Sequence, residues 1–285
     1  MAPPGIAEVA PATETHSAIY RCAASKDGFP ELGVATLYEA FDRSCKQFSG
    51  LPALGHRPIG PDGAAGDFAW LTYGETGERV ARLASALAGF GLAAKDRVAV
   101  YGANSPEWMM AMQACNRMSY ECVPLYDSLG ENAIEFILRH SEAAAVFVAG
   151  GKAGKLAAAL GEIKAKEGEE GEALVKSVIY WGDAPDAALL EKLQGLGLEV
   201  LSWEAALEAG AAAPAEPVPP SADDYCTIMY TSGTTGDPKG VLLKHSAVVA
   251  AVANVTNYCQ QWGQTFGPGD SMLSYLPLAH IFDRW

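Results

Sequence analysis

Short runs of apolar and β-branched residues alternate along this chain with stretches in which apolar positions recur every three to four residues. That alternation predicts strands and helices in turn. Val98 to Tyr101 reads as a strand ending at Gly102. Behind it, Ser105 and Pro106 have the character of an N-cap and a first helical residue, and Trp108, Met112 and Cys115 repeat at helical spacing, which predicts a core-facing helix side. A second strand ends near Val123 and Pro124, a helix follows over Glu131 to Arg139 with Ile134, Ile137 and Leu138 on one face, and Ala145 to Val148 is the next buried strand. From Gly150 onward the pattern is weaker, with strands at Ser177 to Tyr180 and Leu198 to Leu201 among Ala-rich and charged helix signals. The mixed-sign run Glu162 to Lys176 predicts a solvated helix face or an insertion. Together these elements predict a layered α/β fold with a largely parallel sheet.

Ala209 to Pro220, with four prolines and many alanines, is expected to be a connector that resists both helix and strand. After it come a β-favouring run, Tyr225 to Tyr230, and a helix over Ser246 to Gln261 with Val248, Val252, Val255 and Cys259 on one side. That stripe is expected to pack on the sheet, with the lining of an apolar tunnel as the alternative. Tyr275 to Pro277 is expected to end a strand that delivers His280 to the carboxyl edge of the sheet, where ligands of α/β folds gather.

Composition narrows the class. With 285 residues, 49% hydrophobic and 19% charged, the chain is globular, of roughly one to two domains, and neither disordered, collagenous nor a coiled coil. Lys and Arg number 20 against 34 Asp and Glu, so a net charge of −14 would repel a phosphate backbone and argues against nucleic acid as a partner. Every apolar run is broken by Gly, Pro or charge short of the ~20 residues needed to span a bilayer. The first residues carry no basic cluster and no secretory signal pattern, so 1–19 is expected to be a flexible, solvated tail. The six cysteines, Cys22, Cys45, Cys115, Cys122, Cys226 and Cys259, form no C-x-x-C pair and read as reduced thiols serving as small core residues.

The densest chemistry lies in YTSGTTGDPKGV, Tyr230 to Val241. Thr231, Ser232, Thr234 and Thr235 supply hydroxyl donors, Gly233, Gly236 and Gly240 let backbone N–H groups turn toward one centre, and Lys239 adds a point charge. From the residues alone this is either an anion nest for a polyphosphate or a Ser/Thr/Gly-rich surface turn. It is not the P-loop of mononucleotide NTPases, which needs G-x-x-x-x-G-K-[ST] running into a helix. Pro238 disfavours the helical region for Asp237, so the chain is expected to turn back into a second strand, Val241 to Leu243, leaving a flap between strands with Asp237 toward solvent. Gly154 and Lys155 do not make a second nucleotide loop, because Ala149 stands where the earlier Gly is needed and no Ser or Thr follows the Lys. The histidines His16, His56, His140 and His245 are expected to be structural.

The ten positions Thr231 to Gly240 resemble the phosphate-binding signature of the adenylate-forming (AMP-binding) enzymes, the superfamily of acyl-CoA synthetases, luciferases and peptide-synthetase adenylation domains. SYLPLAHIFDR, Ser274 to Arg284, is similar to the second signature of the long-chain acyl-CoA synthetases, and YGANSPEW (Tyr101 to Trp108) and VPLYDSLG (Val123 to Gly130) resemble the same branch. The likeness runs from about Tyr20 to Trp285.

That resemblance implies part of the large N-terminal domain of the adenylate-forming fold over 20–285, incomplete at its C-terminal end. It implies activation of a long-chain fatty acid by ATP to an acyl-adenylate, followed by transfer to coenzyme A. Tyr230, Thr231, Ser232, Gly233, Thr234, Thr235, Gly236 and Lys239 would bind the ATP phosphates, the Thr231 hydroxyl would be a ligand or near neighbour of Mg²⁺, and His280 would orient or gate the acyl carboxylate. It further implies a cytosol-facing protein, with peripheral association to the endoplasmic reticulum or another organelle membrane left open. Later family elements, such as the metal-binding Glu, the ribose-binding Asp and the C-terminal lid, are not in this sequence, so the chain alone is expected to be poorly soluble and not to turn over. An acyl–acyl carrier protein synthetase, another adenylate-forming ligase and a non-catalytic nucleotide-binding fragment are the alternatives.

Overall fold

The computed structural model describes residues 6–22, 28, 31–127, 133–167, 174–231, 237–281 and 284. Near the N-terminus, β1 (Ile6–Ala10) pairs antiparallel with β2 (Ile19–Cys22), and β3 (Pro52–His56) with β4 (Ala69–Thr72). The stretch 1–19 is thus not structureless throughout, since Ile6–Ala10 holds a strand, although Ile6 and Ile19 stay exposed.

Seven strands build the main sheet: β5 (Arg97–Tyr101), β6 (Glu121–Leu125), β7 (Ala143–Ala149), β8 (Ser177–Trp181), β9 (Glu199–Ser202), β10 (Tyr225–Thr231) and β11 (Lys239–Lys244). Their spatial order is β11-β10-β6-β5-β7-β8-β9. Every neighbouring pair is parallel except β10 and β11, which form an antiparallel hairpin. The chain leaves β5 to one side for β6 and returns to its other side for β7, so the sheet has a switch point over the carboxyl end of β5.

Helices cover both faces, as parallel strands require. Val98 and Val100 of β5 face a core that also holds Leu83 and Leu87 of α2 (Tyr73–Gly89), Trp108 and Met112 of α3 (Pro106–Arg117) and Trp203 of α7 (Trp203–Ala212). Ala99 and Tyr101 face the opposite core, with Ile137 of α4 (Ala133–Ser141), Leu156 of α5 (Ala153–Glu167) and Leu193 of α6 (Ala187–Gly195). The remaining helices are α1 (Leu37–Gln47) and α8 (His245–Gln261). Local chemistry sets the helix starts. Ser105 accepts from the Trp108 N–H at 3.2 Å with Pro106 in the first turn, Thr72 and Glu75 form a capping box, and Asp186 caps α6.

Apart from the strand expected before His280, the expected strands and helices are present, with ends displaced by a residue or two; Glu131 lies outside the described residues. Cys115, Cys122 and Cys226 are buried free thiols, and Cys45 and Cys259 are free and half-buried.

Three expectations are corrected. The connector Ala209–Pro220 begins inside α7, which continues to Ala212 because alanines propagate a helix until the prolines stop it. Its remainder is irregular but tethered: Ala215 N–H donates to Ser85 Oγ at 2.9 Å and Ser119 Oγ donates to the Val218 carbonyl at 2.6 Å. Second, Tyr275 to Pro277 is not a strand; Tyr275 is exposed, the Leu276 carbonyl accepts from the side chain of Asn104 and the Pro277 carbonyl from the His280 N–H instead of from a ladder. Third, α8 buries His245, Val248, Val249 and Ala253, whereas Val255 is exposed. That helix lies against β11 and α1, with its fully buried positions in its first half and Val252 and Cys259 half-buried.

Candidate functional site

β10 runs parallel to β6 and β5, so the carboxyl ends of the three strands share one edge, and β10 delivers Tyr230 and Thr231 there. The chain then crosses to β11, where Thr231 pairs with Lys239 and Tyr230 with Gly240. The expected strand-to-strand flap is therefore present, with Lys239 at the first position of the returning strand. Ser232, Gly233, Thr234, Thr235 and Gly236 lie outside the described residues. Thr231, Asp237 and Lys239 are exposed, and Asp237 faces solvent as expected. Gly240 sits in a tight place: a Cβ there would lie 3.1 Å from Ile228 Cγ2 and 3.3 Å from the Tyr230 ring, so a side chain would require those neighbours to shift by a few tenths of an ångström.

Tyr230 is fixed at both ends. Its hydroxyl shares a 2.6 Å hydrogen bond with His140 Nδ1, and its carbonyl accepts from the Tyr126 hydroxyl. Phe136 stacks on His140 at 5.2 Å and meets Tyr230 edge-on at 6.5 Å. Burial raises the Tyr230 phenol to about 12, so it stays neutral and hydrogen-bonding at ordinary pH. His140 is thus a structural histidine, as expected, but one that braces the stem of the loop.

The second signature arrives at the same edge. Tyr126 follows β6, and its ring lies 5.4 Å from that of His280 with a 50° tilt. His280 is exposed, in a turn closed by its N–H donating to the Pro277 carbonyl at 2.8 Å. The structure therefore gathers Tyr230, Thr231, Lys239 and His280 on one edge of the sheet, with Tyr126 between them.

Over the switch point, Asp127 accepts from the Tyr101 hydroxyl and from Lys152 at 2.5 Å each, and from Lys155 at 2.9 Å. Lys152, Tyr101 and Lys155 hold this carboxyl well below the usual carboxylate range. Lys155 thus lies in an ion cluster at the start of α5. Among the described residues no group of three or more His, Cys, Asp or Glu side chains gathers to hold a metal. Thr231 itself offers a hydroxyl.

Sequence reasoning assigned no individual role to Asn104, Tyr126, Asp127 or Arg284. Their signal was present, because each falls inside one of the resembling stretches, but only the folded chain shows what each one touches.

Residues 41–285 match the family of AMP-binding enzymes. The chain belongs to the AMP-binding enzymes. Among curated relatives of this AMP-binding chain, Long chain acyl-CoA synthetase 4 of Arabidopsis thaliana is 38% identical over 268 residues, covering 93% of the chain and 39% of the relative. Probable CoA ligase CCL6 of Humulus lupulus is 36% identical over 284 residues, covering 98% and 42%. The chain thus spans about two fifths of the length of the curated relatives it matches. Among solved structures, the adenylation domain of a carboxylate reductase from Mycobacterium chelonae superposes with a TM-score of 0.71 at 22% identity, over 90% of this chain and 42% of that one. The A domain of carboxylic acid reductase from Segniliparus rugosus, in complex with AMP and a co-purified carboxylic acid, gives 0.64 at 20% identity over 90% and 44%. These likenesses establish that the AMP-binding chain carries part of the adenylate-forming fold. Among its described residues no helix is long and apolar enough to cross a membrane.

Proposed function

We propose that this chain is the phosphate-gripping portion of an ATP-dependent ligase that activates a long-chain fatty acid to an acyl-adenylate and passes it to coenzyme A. The observation that carries this reading is the convergence of Thr231, Lys239 and His280 on one sheet edge, bridged by Tyr126. The identity to long-chain acyl-CoA synthetases supports the class of acid.

A carboxylate is a poor electrophile, and its attack on the α-phosphorus crowds negative charge onto oxygens that leave as pyrophosphate. Preorganised donors aimed at that charge lower the barrier. In this reading, Lys239 and the hydroxyls and amides from Thr231 to Gly236 hold the β- and γ-phosphates, and Tyr230 and its braces keep the stem of the loop rigid. His280 orients the acyl carboxylate beside the nucleotide, with Tyr126 setting the place of its ring. The hydroxyl donor at Thr231 suits Mg²⁺ as a single ligand, since this ion keeps several waters and is held largely by the phosphates. Bound there, Mg²⁺ would neutralise phosphate charge. A cytosol-facing placement goes with this reading, with peripheral association to an organelle membrane left open.

Chain-length preference tests the substrate class. Titrating the protein with non-hydrolysable acyl-adenylate sulfamates bearing acetyl, octanoyl and palmitoyl groups is expected to rank palmitoyl tightest. Equal affinity for all three would remove the long-chain assignment and leave an adenylate-forming ligase of another acid.

A further inference from the structure

The turn that carries His280 makes no ladder bonds, yet both peptide groups of Leu278 are taken by side chains. Leu278 is buried; its N–H donates to Asn104 Oδ1 at 2.8 Å and its carbonyl accepts from Arg284 Nε at 2.6 Å. Asn104 Nδ2 also donates to the Leu276 carbonyl at 2.7 Å and to Ser274 Oγ at 2.9 Å. Arg284 Nη2 reaches the Ala279 carbonyl at 3.2 Å, and its Nη1 donates to Thr227 Oγ1 at 3.0 Å. Its guanidinium lies 4.9 Å from the centre of the Trp108 ring.

These bonds have a direction. Asn104 follows β5 and immediately precedes the N-cap of α3, so it ties the near side of the turn to the switch point. Thr227 lies within β10 and pairs with Cys122 of β6, so Arg284 ties the far side to the strand that leads into the phosphate loop. Resting on the reading that His280 meets the substrate, we propose that Asn104 and Arg284 are positioning residues, a two-sided clamp on the Leu278 peptide groups that fixes His280 relative to β10.

Arg284 is an expensive way to fill space. It is buried and, among the described residues, has no carboxylate within ion-pair distance. Burial of such a charge is unfavourable before its hydrogen bonds return anything, and apolar replacement of buried charges is often neutral or stabilising. Its guanidinium offers five donors in a fixed fork, which suits one residue to two successive carbonyls and a hydroxyl at once. Geometry rather than stability is the gain, and it is the geometry of the residues directly before His280.

The test reads the position of His280 and not activity. In the wild-type protein, nuclear Overhauser contact is expected between His280 Hε1 and the ring protons of Tyr126. Arg284→Met and Thr227→Val are expected to lose that cross-peak while the contact between His140 and Tyr230, outside the clamp, is retained; Arg284→Lys is expected to restore it in part. Thr227→Val is close in shape and favours a strand, so it decides the matter if Arg284→Met does not fold. Retention of the His280–Tyr126 contact in Thr227→Val, or in a folded Arg284→Met, overturns the proposal. Failure of the underlying reading looks different: the wild-type contact would be present, but the palmitoyl-adenylate sulfamate would leave the His280 resonances unmoved.

Discussion

The ring of Tyr126 lies 5.4 Å from that of His280, while its hydroxyl donates to the carbonyl of Tyr230. One side chain therefore links the two signature stretches, which lie far apart in sequence. Tyr126→Phe keeps the ring and removes only the hydroxyl, so the Tyr230 carbonyl loses a donor at the mouth of the loop. The expected loss is about 1 kcal/mol, the usual net worth of such a bond, read from the urea midpoint, with the His280 contact retained. An unchanged midpoint would mean that this bond contributes nothing to holding the loop stem.

Gly210 sits where α7 packs against α2, and a Cβ there would lie 1.8 Å from the Arg82 carbonyl oxygen. Gly210→Ala must push the two helices apart and is expected to destabilise the protein by ~1–3 kcal/mol. Gly161 sits in α5 with nothing within 4 Å of its built Cβ. There the same substitution is expected to stabilise by ~0.5–1 kcal/mol through helix propensity. Opposite shifts in thermal midpoint for the two variants check the packing directly.

His245 carries a pH dependence. It is fully buried, its Nδ1 accepts from the Leu37 N–H at 3.2 Å, and burial holds the imidazole down to about 4 from its ordinary 6.5. The neutral ring is the folded form, so between those values the unfolded chain binds the extra proton. Stability is then fully present above pH 6.5 and is lost as pH falls toward 4, by up to ~3 kcal/mol from this group. Denaturant unfolding at a series of pH values is expected to show that slope in the wild type and a flatter one in His245→Leu, which will be weaker at neutral pH because the Leu37 N–H loses its acceptor.

Much of the α/β layering was legible because buried parallel strands and amphipathic helices write themselves as local patterns. Ser105-Pro106 and the Trp108, Met112, Cys115 stripe predicted α3 and its buried face. The hairpin was legible too, from Pro238 and the β-favouring residues on either side. What escaped was non-local. Nothing in Tyr275 to Pro277 says that the side chain of Asn104 replaces a neighbouring strand, and nothing in the α8 stripe says that Val255 is exposed. The prolines of 209–220 masked the alanines before them. Asn104, Tyr126 and Arg284 act on groups distant in sequence, and no spacing rule encodes a bond between Arg284 and Thr227.

The claim on which the function rests is that the crossing between β10 and β11 grips a nucleotide's phosphates. Calorimetric titration of ATP into the wild-type protein and Lys239→Ala tests it most directly. Measurable binding in the wild type, weakened about tenfold or more by removal of one charge-assisted contact, is the predicted result. Equal affinity in the two proteins, or no binding in either, would contradict it.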